Sequence, residues 1–185
     1  TDARNGTDVT VNTSLNSGQA TTITSRGNAR LAAVTATTGD VVVNAVNGEV
    51  TGIGVAAANP EATGGRVTAN GGTLARLGTV KSGGDTGLTA DSITVATANV
   101  GGALSLDADV GNATLGTGTV TGTSLITATG DASVGSLTSG GPSTLTAGGL
   151  ASATTLLKTT GAAGNILVSG ATVQLAKVES AAGLT

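Results

Sequence analysis

Aliphatic residues alternate with small polar ones in short bursts along the whole chain, and the bursts return at a steady step. The stretch STLTAGG, residues 143–149, shows the unit: a bulky aliphatic, a threonine, an alanine, then glycine. The aliphatic position recurs at Ile23, Val43, Val67, Leu88, Leu106, Ile126, Leu145 and Val168, at separations of 20, 24, 21, 18, 20, 19 and 23 residues. A self-similar period of about 20 residues is the signature of a repeat architecture. A second phrase keeps step with the first, a turn residue followed by alternating small and aliphatic residues, as in GNARLAAV, GGTLARLGTV, DSITVATANV and GDASVGSLT. In GGLASATTLL, Leu150 and Ala153 both fit its aliphatic position.

Alternation with period two sends the aliphatic and the alanine to one face and Thr, Asn or Asp to the other, which predicts strands. Frequent β-branched residues and a glycine every few positions argue against helices. Gly-Asn at 27 and 111, Asn-Gly at 47 and Gly-Asp at 130 read as corners that use positive φ. Short strands, glycine corners and one shared period predict a single all-β unit over residues 1–185, a parallel β-helix (solenoid) with coils of about 20 residues. No coil buries its own inner face, so the core is expected as a ladder: Ile23 over Val43, Val43 over Val67, and on through Leu88, Leu106, Ile126 and Leu145 to Val168. Eight coils at about 4.8 Å each predict a rod of roughly 40 Å. A β-sandwich of the immunoglobulin type is the alternative, since short strands with regular turns suit it too. It has no reason to keep two phrases in one register. The surplus between Val43 and Val67 falls on AAANPEATGG, where Asn59-Pro60-Glu61 reads as a loop thrown out from a corner.

Composition sharpens this picture. The 185 residues include 31 Gly but no Phe, Trp, Tyr, Met, Cys or His. A core without aromatics must be narrow and regular, filled by Val, Leu, Ile and Ala. The net charge of −3 argues against nucleic acid as a partner. No disulfide is possible, and no apolar run reaches the roughly 18 residues of a transmembrane helix. The start, TDARNG, carries neither an initiator Met nor an apolar leader, so any signal peptide is expected to be removed or to lie upstream.

Candidate chemistry is sparse. Without His or Cys, nucleophile triads and most metal sites have no components. Arg66, Arg76, Lys81 and Asp85 fall within two coils and form a candidate surface binding cluster. Asp107 and Asp109 flank Ala108 and form a candidate carboxylate pair, for acid–base work or calcium. Solvated outer-face charge is the simpler reading of both groups. GGDTG and TGDVV resemble calcium-binding nonapeptide turns, but the Asp does not recur at nine residues, so no cofactor or metal is expected. TGTVTGT at 117–123 suggests threonine rows that match ice, yet LAAVTA and VGSLTS do not continue the row.

Glycine-rich, cysteine-free coils such as SLITATGDASVGSLTSGG and STLTAGGLASATTL resemble the repeats of filamentous haemagglutinin-type, two-partner-secretion exoproteins of Gram-negative bacteria. The resemblance spans nearly the whole chain. It implies a right-handed β-helical shaft, secreted or held at the cell surface, that serves adhesion, biofilm or contact-dependent interaction. It implies as partners a host or bacterial surface or a matrix polysaccharide, and an outer-membrane transporter that binds a region outside this stretch. The family's NPNG-like secretion signature is not visible, and NPEA at 59 does not replace it. The final SAAGLT resembles GDTGLTA at 84–90, as if another coil began at Leu184. With no polar or helical cap at either end, the chain reads as a fragment of a longer fibre, or as one that associates end to end or laterally. The leading expectation is a non-catalytic shaft. The competing ones are a β-helical polysaccharide-binding or polysaccharide-cleaving module and, less favoured, an ice-binding protein.

Overall fold

The computed structural model describes residues 8–52 and 59–185. These residues form strands and turns with no helix among them, and every strand pairing is parallel. The chain winds as a β-solenoid of about 8 turns. One wall is an 8-stranded sheet of short strands, from Thr21–Ser25 through Thr86–Ala90 to Ile166–Ser169. The other is an 11-stranded sheet of longer strands such as Leu74–Ser82, Ser92–Val100, Ala113–Val120 and Ala132–Ser139. Each longer strand bends where two outward-facing residues follow one another, as Gly116 and Thr117 do between inward Leu115 and Gly118. A coil therefore meets the core along three straight segments.

Three of the inward columns show how that core is filled. In the short-strand sheet Ile23 stands beside Val43, and Leu88, Leu106, Ile126, Leu145 and Val168 follow one another in register. Val168 is only partly buried. The column passes through Ala69 rather than Val67, because Val43 pairs with Ala69 while Val67 pairs with Val41 and Thr86. Both residues face inward in the same strand, so alternation alone cannot choose between them. In the long-strand sheet Leu77, Val95, Leu115 and Val134 stack. Ala153, not Leu150, continues them, and an extra residue in that strand makes a bulge past Ala153. The third column runs Val80, Ala98, Gly118, Leu137, Leu157. Its packing interlocks: a Cβ on Gly118 would lie 2.7 Å from Leu137 Cδ1 and 3.0 Å from Leu115 Cδ2. The missing side chain is thus filled by two leucines, as dense interiors require.

Asn59–Ala62 is a strand, not a loop. Pro60 is buried beside Val34, and the Asn59 side chain accepts a hydrogen bond from the Thr79 amide at 2.7 Å. Burial of the proline ring outweighs the turn preference of the Asn-Pro pair. The preceding coil needs one residue, Ala32, between Leu31 and Ala33, and this coil has 53–58 between their partners Gly52 and Asn59. The surplus therefore falls on 53–58, outside the described residues. Leu184 bridges Ile166, in the column of Thr86 rather than that of Leu88.

The corners work differently from the expectation. Gly48, Gly111 and Gly130 do not take positive φ; a Cβ on each would collide with the coil beneath. The Asn or Asp that follows Gly27, Gly111 and Gly130 acts through its side chain. Asn28 Oδ1 accepts the Glu49 amide at 3.1 Å, Asn112 Oδ1 the Asp131 amide at 2.8 Å, and Asp131 Oδ1 the Leu150 amide at 2.8 Å. On another corner Asp40 Oδ1 accepts the Arg66 amide at 2.7 Å and Asp85 Oδ1 that of Ala103 at 2.9 Å. Each bond ties one coil to the next where strand pairing lapses.

Candidate functional site

Arg66, Arg76, Lys81 and Asp85 do not form one cluster. Arg66 Nε lies 3.6 Å from Asp85 Oδ2, with both side chains more than half exposed. Lys81 Nζ sits 2.8 Å from Glu61 Oε1 on the far segment of the long-strand sheet, and it holds the Glu61 carboxyl below its ordinary value by hydrogen bonding and charge. Arg76 is exposed beside Thr94, on the near segment of that sheet. Solvent-exposed pairs of this kind contribute little energy. Asp107 and Asp109 also part company: Asp107 Oδ1 accepts a hydrogen bond from Thr127 Oγ1 at 2.6 Å, while Asp109 faces a groove one corner away. Among the described residues no group of three or more His, Cys, Asp or Glu side chains is placed to hold a metal ion. A hydroxyl row does exist on the long-strand sheet at Thr79, Thr97, Thr117 and Ser136. It ends at Leu156.

A groove opens at the corner beside Asp109, and turn lengths build it. From the last inward residue of a short strand to the first of the next long strand, most coils insert three residues, as in 26–28, 72–74 and 129–131. Residues 46–49 and 109–112 make two turns of four, and residues 91–92 make one of two. Two long turns thus flank a dip two coils wide. Its volume is about 470 Å³, within the range of roughly 300–1,000 Å³ usual for small-molecule sites. Thr24, Asn44, Asn70 and Thr89, one from each of four successive coils, form one polar wall. Asn70 Nδ2 donates to Asn44 Oδ1 at 2.7 Å, which fixes both amides. Ala45, Gly71, Gly72 and Ala90 supply an apolar floor, and Val46, 60% exposed, rises at one end with Asp109 at the other. A Cβ on Gly72 would come within 2.8 Å of the Val46 carbonyl, so that glycine keeps the floor low.

Of these residues the sequence singled out only Asp109, and with Asp107 rather than with the groove, because alternation reports which face a residue occupies and not how long a corner is. The signal was present in the residue counts of TADSI against NAVNGEV and DADVGNA. No protein-family model, curated protein or solved structure matched the chain.

Proposed function

We propose that this chain is a non-catalytic structural shaft, part of a large secreted or surface exoprotein of the filamentous haemagglutinin type on a Gram-negative cell. The observation that supports this reading is the unbroken register of the short-strand sheet, in which eight strands pair in sequence order across the described coils. Such a stack contacts only its neighbours, so length grows by adding coils and stiffness comes from continuous hydrogen bonding. Its outer columns vary from coil to coil, as in Leu125, Thr144 and Leu167, and a spacer needs no repeated surface there. Adhesion, biofilm or contact-dependent interaction would then depend on reach, with transporter contacts outside this stretch.

The test is a whole-coil deletion in the gene that encodes the chain. Removing Val67–Thr123 places Ser124 where Val67 stood, and the two occupy one column. The fibre should shorten by three coils, about 14 Å, and cells bearing it should attach as before. Attachment lost from an intact, merely shorter fibre would refute a spacer role.

A further inference from the structure

We propose that the groove between the turns 46–49 and 109–112 binds one or two units of a neutral saccharide. A sugar ring offers hydroxyl groups around its edge and C–H groups on its faces, and the groove presents the same two characters side by side. The polar wall is a row of short hydrogen-bonding side chains, Thr24, Asn44, Asn70 and Thr89, spaced by the strand separation of about 4.8 Å. The Asn70-to-Asn44 bond leaves Asn44 Nδ2 and Asn70 Oδ1, a donor and an acceptor, for a ligand. These amides sit on adjacent strands of a sheet, so their geometry is set before a ligand arrives, which lowers the entropy lost on binding. The glycine and alanine floor with exposed Val46 suits a C–H face. Asp109 is the single charged residue of the lining. It accepts hydrogen bonds from hydroxyls and repels uronates or sulfated sugars, so the ligand class is neutral. This site is separate from the Arg66–Asp85 pair and does not depend on the shaft reading.

The experiment is isothermal titration calorimetry of the full chain with chitotriose, cellotriose and mannotriose, and with trigalacturonate as an anionic comparison. At least one neutral trisaccharide should bind with a Kd below about 10 mM, and trigalacturonate should not. Asn44→Ala and Asp109→Ala should each weaken binding at least about tenfold, with circular dichroism unchanged. Asp109 stands on an exposed corner, so its variant decides the matter if Asn44→Ala melts early. The proposal is overturned if no neutral trisaccharide binds, if trigalacturonate binds equally well, or if the folded variants bind as tightly as the parent. A concentration-dependent dimer that Asp109→Ala disrupts, with no sugar bound, would assign the groove to a second copy of the chain and likewise overturn it.

Discussion

Gly140 and Gly87 sit in similar glycine-rich phrases and in opposite surroundings. A Cβ on Gly140 would run into the Thr121 carbonyl of the coil beneath, whereas one on Gly87 would meet nothing. Neither has positive φ. Gly140→Ala must therefore push two coils apart and should cost about 1–3 kcal/mol. Gly87→Ala should be neutral or stabilise by up to about 1 kcal/mol through the unfolded chain. Guanidinium denaturation of both variants checks the contrast, and equal effects would mean that stacking distance does not select glycine here. Thr21 offers a test in the opposite direction. Its Oγ1 is buried without a hydrogen-bond partner, although the inward hydroxyls of Ser124, Ser139 and Ser143 share bonds of 2.7 Å. Its column continues with Val41 and Val67, so Thr21→Val should raise stability by about 1 kcal/mol, read as a higher denaturation midpoint.

At the scale of strands and corners, much of the fold was legible and the exceptions have causes. The inward faces followed from alternation within each straight segment, although two consecutive outward residues, as at Gly116 and Thr117, shift its phase in the longer strands. Register within a strand did not: Val67 and Ala69 are two residues apart on one face, and only the paired strands decide which joins Val43. Corner asparagines and aspartates announced turns, but their bonds reach a residue 18 to 26 positions away, which no local rule anticipates. Asp131 sits in the middle of such a chain, so Asp131→Ala should lower stability by about 1–2 kcal/mol, while Asp131→Asn should recover most of it; thermal melts separate the two. Acid acts on a different device. Lys158 first and Lys177 second hold the Glu179 carboxyl down at about 2, against an ordinary 4.5. A lowered folded-state value means that the stabilisation is present above the ordinary value and lost as pH falls toward 2. Glu179→Gln should therefore melt slightly below the parent near pH 6, and the gap, small because the pair is exposed, should close near pH 2.

For the whole molecule the question is whether coils are interchangeable units. Contacts run from each coil to its neighbours, so stability should approximate a sum of coil terms and interface terms. Irregularities in that sum are where the rod departs from a spacer, as it does at the groove, whose walls exist because neighbouring corners differ in length. Deleting Val67–Thr123 removes 57 of the 185 residues, together with Asn70, Thr89 and Asp109. It joins the flanking coils through one column, from Val41 to Ser124. If the coils are units, guanidinium unfolding should stay a single transition with a denaturant slope smaller by roughly 30%, because that slope scales with the surface exposed on unfolding. Saccharide binding should vanish with the groove. Two transitions, or a slope unchanged, would mean that the chain does not unfold as one stack of neighbours and that its reach cannot be set by counting coils. A single reduced transition with binding abolished would separate the two roles within one molecule, length carried by every coil and recognition by the unequal corners.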